Sequence, residues 1–357
     1  DNSSWVQESY IKAANNDADD GFYKVSLSGD TLAVTAESED SNQTTITNGT
    51  SASSNNSNSE SGAVFVYKRT GTSWAQEAYI KAANNDASDY FGHSVSISGD
   101  HAVVGAYYDD DNGSDSGSAY LYDANTGELL LYTQANRLGQ LRTGATTGVA
   151  VKHLANPAEA TVAIIGTGGQ APTQLEAVSK VRGIKKVKAF SRTQERREDF
   201  ARRMTDAMGV EVTAANTNED AVRDCDIVLC IAATMEPVVE GAWLKDGSTL
   251  IGAGPTTWRA REVDEVTFKR AGKLFVDSTE QAAIEAGDIC SAVDKGIIQW
   301  SKVHELRHVV SGAVTGRDSE GQVVYAKIMG TGVADVAAAK LAYDSAKAQG
   351  LGTEMDW

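Results

Sequence analysis

Residues 161–178 read TVAIIGTGGQAPTQLEAV, with Gly166, Gly168 and Ala171 spaced G-x-G-x-x-A. An apolar strand before such a turn and a helical pattern after it are the setting in which this spacing binds a dinucleotide. Gly166 permits the tight turn, Gly168 lets the backbone approach a pyrophosphate, and Ala171 keeps helix and strand close. The helix N-terminus then faces the negative charge, and Pro172 suits a first helical turn. The next strand, KVKAF, ends in Ser191-Arg192-Thr193, where NAD sites place an Asp or Glu on the ribose hydroxyls. A guanidinium matches a 2′-phosphate in charge and fork geometry, so Arg192 favours NADP over NAD. The competing reading of Arg192 is a solvated surface side chain.

Three other groups of residues carry chemistry by type. DDDNGSD offers Asp109, Asp111 and Asp115 around Gly113, the alternating carboxylates and turn glycine of a calcium loop. It lacks the later bidentate Glu, and a solvated acidic turn is the alternative. HELRH (His304, Glu305, His308) matches H-E-x-x-H, but no third zinc ligand is evident among the five histidines. Cys225 and Cys230 flank the strand-like DIVL at a separation that points them to opposite faces, so they and Cys290 are expected to be free thiols.

These residues need elements to place them. Downstream of the turn the pattern alternates: KVKAF, helix QERREDFARRMTDAM, EVTAA, short helix NEDAVRDC, then DIVLCIAA, STLIGAG and KLFVD. That order predicts an α/β Rossmann-type domain with a doubly wound parallel sheet. Upstream, WVQESYIKAANNDADDGFYKVSLSGDTLAV and WAQEAYIKAANNDASDYFGHSVSISGDHAVV are near-copies beginning at Trp5 and Trp74, 69 residues apart. Their strands alternate in polarity, and Gly29-Asp30 and Gly99-Asp100 are set as hairpin turns. The fold class expected is therefore mixed: N-terminal all-β propeller-blade repeats, then the α/β domain. Residues 40–61, rich in Ser, Asn and Thr, are expected to form a disordered loop.

Residues 1–125 hold five Lys and Arg against nineteen Asp and Glu, −14 of the chain's −17. Such a tract repels nucleic acid and anionic membrane, and the apolar runs are too short to span a bilayer. The chain starts at Asp1 with no signal peptide or initiator Met, the pattern of a processed chain or a fragment.

Two resemblances follow. The N-terminal copies resemble FG-GAP repeats, with Phe91-Gly92 as the name motif; the first copy has Phe22-Tyr23 and one residue fewer before its Gly-Asp. From about residue 120 onward the chain resembles the ornithine cyclodeaminase/μ-crystallin family. DANTGELL, LRTGATTGVAVKHLA, AIIGTGGQA, FSRT, AVRDCDIVLCIAATMEPVV, KLFVDS, EAGDI and MGTGVADVAAAKLAYDSAKAQGLGT occur in the family's order. The expected domains are residues 1–120 and 121–357, with the hairpin of DANTGELL on the enzyme side. The resemblance implies a nicotinamide-dependent oxidoreductase acting on a small α-amino or α-imino acid. It implies Arg142 as the grip on the substrate carboxylate. Gly169 and Gln170 would meet the pyrophosphate, Thr234 the cofactor, and Met329 and Gly330 the nicotinamide loop.

Two departures bear on activity. The repeats occupy the place of the family's substrate half, so its active-site lysine has no assignable equivalent. Thr256 stands where cyclodeaminases carry an aspartate base, and threonine cannot act as a carboxylate base at neutral pH. Impaired catalysis is expected, and ornithine cyclodeamination is not. The alternatives are an NADP-binding protein without turnover and a calcium-binding adhesion module. The expected partners are a small substrate and, as one assembly, a second copy in a homodimer. The expected location is cytoplasmic.

Overall fold

The computed structural model describes residues 6–111, 113 and 116–354. They form two compact units, the described residues of 6–139 with 332–354, and residues 140–331.

In the first unit, β1 (Phe22–Ser28), β2 (Thr31–Ala36), β3 (Thr47–Asn48), β4 (Ala63–Thr70) and β5 (Ser73–Ile80) pair in the order β1-β2-β4-β5-β3. A second sheet runs β6 (Phe91–Ser98), β7 (His101–Ala106), β8 (Ser118–Asp123), β9 (Leu129–Gln134). All these pairings are antiparallel. The expected Gly-Asp turns are present, joining Ser28 to Thr31 and Ser98 to His101. The length difference between the copies is taken up in the first strand of each. Between β1 and β2 the register slips by one residue after Phe22, whereas after Phe91 it slips by two. Gly92 lies in that larger bulge at φ +91°, and a Cβ there would come within 2.8 Å of the Ala63 carbonyl. Two sheets among the described residues are fewer than the four to eight blades of a closed propeller.

Residues 40–61 depart from the expected disorder. Thr47 and Asn48 pair with Tyr79 and Ala78, Asn58 N donates to Asp40 O at 2.8 Å, and Ser41 and Ser61 are buried. The polar side chains that suggested disorder find partners instead in the backbone beside them.

The hairpin of DANTGELL joins β8 to β9. The boundary at residues 120–121 falls inside β8, and the hairpin's second strand, β9, completes the antiparallel sheet. Asp123 Oδ1 accepts the N–H groups of Asn125 and Thr126, which fixes the turn locally.

The second unit takes in most of α1 (Ala135–Leu154), followed by β10 (Ala160–Ile165), α2 (Ala171–Val181), β11 (Ile184–Phe190), α3 (Gln194–Met208), β12 (Val212–Ala214), α4 (Asn218–Val222) and β13 (Ile227–Cys230). Then come β14 (Thr249–Gly252), α5 (Glu265–Arg270), β15 (Ala271–Val276), α6 (Thr279–Glu285), α7 (Gly287–Asp294), β16 (Val303–Glu305), α8 (Leu306–Val310) and β17 (Val323–Lys327). The sheet order is β12-β11-β10-β13-β14-β17-β15-β16, with every pairing parallel. Its central strands are buried on both faces, which is why they read as continuous apolar runs. One core packs Leu154, Leu175 and Phe200 on one face; the other packs Leu244, Phe268 and Ile289 on the opposite face.

The last helix among the described residues, α9 (Gly332–Gln349), belongs to the first unit. Val336 and Ala339 of α9 pack on Val103, Ala119 and Leu121 of the second antiparallel sheet. No described helix is long and apolar enough to cross a membrane.

Candidate dinucleotide and substrate site

Between β10 and α2, Gly166 sits at φ +105°, and a Cβ there would come 2.7 Å from the Ile231 carbonyl. Only glycine fits that turn. Two residues on, a Cβ at Gly168 would meet nothing within 4 Å, so the backbone there is open to a ligand. Ala171 is fully buried, and Gln170, which caps α2, makes no side-chain capping bond. The N-terminal amides of α2 are thus not covered by their own cap, as an anion site requires. Thr167 Oγ1 donates to Ser191 Oγ at 2.8 Å, tying this turn to the end of β11. Arg197 Nη1 donates to Ser191 O at 3.1 Å and its guanidinium lies 5.4 Å from the Phe190 ring centre. Arg192 and Thr193 are exposed beside it. Thr234 follows β13, its hydroxyl donating to Glu236 O at 2.7 Å. The three segments therefore lie at the C-terminal ends of neighbouring strands β11, β10 and β13, where doubly wound sheets bind ligands. An open glycine, an uncapped helix start and exposed arginine and threonine fit a dinucleotide.

Arg142 is placed by close helix packing. A Cβ at Gly144 would lie 2.5 Å from Thr173 O, and one at Gly148 would lie 3.2 Å from Ala177 O, so α1 rests directly on α2. Gln140 comes near the turn, its Nε2 3.4 Å from where Gly169 would carry a Cβ. Arg142 reaches the turn after β17: a Cβ on Gly330, at φ +82°, would lie 2.1 Å from Arg142 Nη1. Asp277, at the end of β15, accepts the N–H groups of Met329 at 2.9 Å and Gly330 at 2.7 Å. Burial pushes the Asp277 carboxyl above the usual carboxylate range, against the pull of those N–H groups. Gln281 Nε2 donates to Gly330 O at 3.1 Å.

A model of the ornithine cyclodeaminase/mu-crystallin family matches residues 111–350, and one of the FG-GAP repeat matches residues 74–122. The chain belongs to the ornithine cyclodeaminase/mu-crystallin family. It is 34% identical to a Delta(1)-pyrroline-2-carboxylate reductase of Bacillus cereus over 68% of this chain and 74% of that one. It is 32% identical to ketimine reductase mu-crystallin of Rattus norvegicus over 65% of this chain and 70% of that one. Among solved structures it resembles Thermococcus litoralis Delta(1)-pyrroline-2-carboxylate reductase, described in complex with NADH and L-proline. The TM-score is 0.67 at 29% identity, over 82% of this chain and 85% of that one.

Asp277 and Gln281 were not singled out from the sequence of this family member, although KLFVDS held a signal. A carboxylate that closes an apolar run ends a parallel strand, where ligand sites form. Thr256 is exposed in the loop after β14. That loop is held by a buried ion network: Lys327 Nζ lies 2.7 Å from Glu262 Oε2 and 3.3 Å from Asp288 Oδ2, and Gly254 N donates to Glu262 Oε2.

The other motifs resolve differently. Asp109 is buried, its carboxylate taking hydrogen bonds from Asn84, Ser118 and Tyr120 at 2.7 to 2.9 Å. Asp111 accepts from Asn84 and Tyr132, and Asp115 lies outside the described residues. Among the described residues no cluster of carboxylates, histidines and cysteines is arranged for a metal. HELRH straddles two elements, with His304 in β16 and His308 in α8, so the two imidazoles do not share one helix face. All three cysteines are free, Cys225 and Cys230 buried.

Proposed function

We propose that this chain is a nicotinamide-dependent oxidoreductase for a small 2-imino or 2-amino acid, with impaired turnover. The observation that carries the reading is the placement of Arg142 against the Gly330 turn, in the same unit as the open Gly168 turn. Arg142 pairs with the substrate carboxylate through two parallel N–H donors, which fixes the α-carbon. Gly166, Gly168, Gly169, Gln170 and Ala171 hold the pyrophosphate, and Thr234, Met329 and Gly330 border the nicotinamide. Hydride exchange with the substrate's α-carbon is the chemistry that a bound nicotinamide supplies. Arg192, with Ser191 and Thr193, recognises a 2′-phosphate, so NADP is the preferred cofactor and NAD the alternative. Calcium is no part of this reading, which concerns the second unit; in the first, Asp109 accepts hydrogen bonds from Asn84, Ser118 and Tyr120.

Impairment rests on Thr256 and on the lysine that cannot be assigned. A positioned general acid or base contributes about 10²–10⁴-fold. The same facts favour the second reading, an NADP-binding protein without turnover. Free thiols suit a reducing, cytoplasmic compartment. Titrating NADPH and NADH fluorescence tests the cofactor part: Arg192→Ala should weaken NADPH by roughly 1–3 kcal/mol and leave NADH nearly unchanged. Equal loss for both cofactors removes the 2′-phosphate role.

A further inference from the structure

The turn carrying Met329 and Gly330 is held by a carboxylate and bounded by a guanidinium. A single oxygen, Asp277 Oδ2, accepts both N–H groups of the turn. The second oxygen, Asp277 Oδ1, accepts Ser278 N at 3.1 Å. Both carboxylate oxygens are thus engaged by backbone, which leaves this side chain poorly placed to move a substrate proton. Gln281 Nε2 supports the same turn through the Gly330 carbonyl and also donates to Glu285 Oε2, each at 3.1 Å. The Arg142 guanidinium bounds the turn at Gly330, whose left-handed φ of +82° leaves no room for a side chain. Where the turn lies therefore limits where the guanidinium can lie.

We propose that Asp277, with Gln281 as a second support, is a positioning residue for Arg142, acting through the Met329–Gly330 turn to set where a substrate carboxylate is gripped. This rests on the reading of Arg142 as the carboxylate-binding residue. The physical basis is the asymmetry of buried donors: without an acceptor, two turn N–H groups are left unpaired, and the turn must rotate to hydrate them. The role needs an oxygen that accepts twice, not a charge. Asn offers one and Leu does not.

The test uses the full chain with pyrroline-2-carboxylate and NADPH, beside L-proline binding by calorimetry and exchange of the Met329 and Gly330 amides. Asp277→Leu should raise the KM for the imine by about tenfold, the size expected for one lost charged hydrogen bond, with a smaller loss of NADPH affinity because the same turn borders the nicotinamide. Asp277→Asn should stay within about threefold, and Gln281→Leu should show a smaller effect in the same direction. In an Arg142→Ala background, Asp277→Leu should add nothing to the loss of substrate binding, because there is no guanidinium left to place. A full tenfold loss in that background overturns the proposal, as does a KM unchanged by Asp277→Leu. If the parent chain neither turns over nor binds L-proline, the carboxylate reading of Arg142 has failed. The clamp is then judged by amide exchange, which must quicken at Met329 and Gly330 in Asp277→Leu and not in Asp277→Asn; no change overturns it. If Asp277→Leu does not fold, Gln281→Leu decides the question by the same measurements.

Discussion

Two glycines two residues apart in one turn have opposite surroundings, and substituting each should separate folding from binding. At Gly166 a methyl group meets the Ile231 carbonyl and the backbone is at φ +105°. Gly166→Ala should therefore cost stability, about 1–3 kcal/mol from backbone strain, and cofactor binding with it. At Gly168 there is open space, so Gly168→Val should leave the thermal midpoint nearly unchanged while weakening NADPH at least tenfold. Denaturation curves and fluorescence titration read the two effects. The roles of these glycines were legible because a local turn fixes them. Asp277 was not legible, because its acceptor role depends on N–H groups 52 and 53 residues further along. The partners of Asp109 were hidden in the same way: the acidic spacing was visible, but the hydroxyls of Ser118 and Tyr120 that donate to its carboxylate were not.

At the scale of elements, strands β10 to β15 and helices α2 to α4 follow the sequence pattern closely, since parallel strands and amphipathic helices carry local signatures. The place of β17 did not follow, because an arrangement that inserts the last strand between β14 and β15 is set by packing far along the chain. A hairpin such as β8–β9 has the same local chemistry at the end of an antiparallel sheet and at the start of the α/β part, so its pairing is set by the strands around it. Helix α1 has a support that no motif announced. Arg182 donates to the carbonyls of Val151, Lys152, Ala155 and Asn156 at 2.8 to 3.3 Å, around the C-terminal end of the helix. Arg182→Ala should lower stability by about 1–3 kcal/mol, measured by denaturant unfolding, because a cation at a helix C-terminus is lost with its hydrogen bonds. Arg182→Lys should recover only part of it, since an ammonium cannot reach all four carbonyls.

For the whole molecule, the acidic first unit makes stability depend on pH in a definite direction. Burial, with Asp109, Asp86 and Asp110 nearby, pushes the Asp89 carboxyl up to about 6, while the N–H of Asp86 pulls it down. A carboxyl raised above its unfolded value contributes stability that is fully present below about pH 4 and lost as pH rises through about 6. The thermal midpoint should rise as pH falls from 7 to 5, and Asp89→Asn should flatten part of that rise. An unchanged slope in Asp89→Asn would show that other groups carry it. The chain should also form no proline from ornithine at an ordinary enzymatic rate of about 1 s⁻¹, given Thr256. The most direct measurement of the central claim is NADPH and NADH consumption by the full chain with pyrroline-2-carboxylate, beside Arg142→Ala. The account predicts slow, saturable consumption that Arg142→Ala abolishes. Consumption that is absent, or identical with and without Arg142, would contradict it.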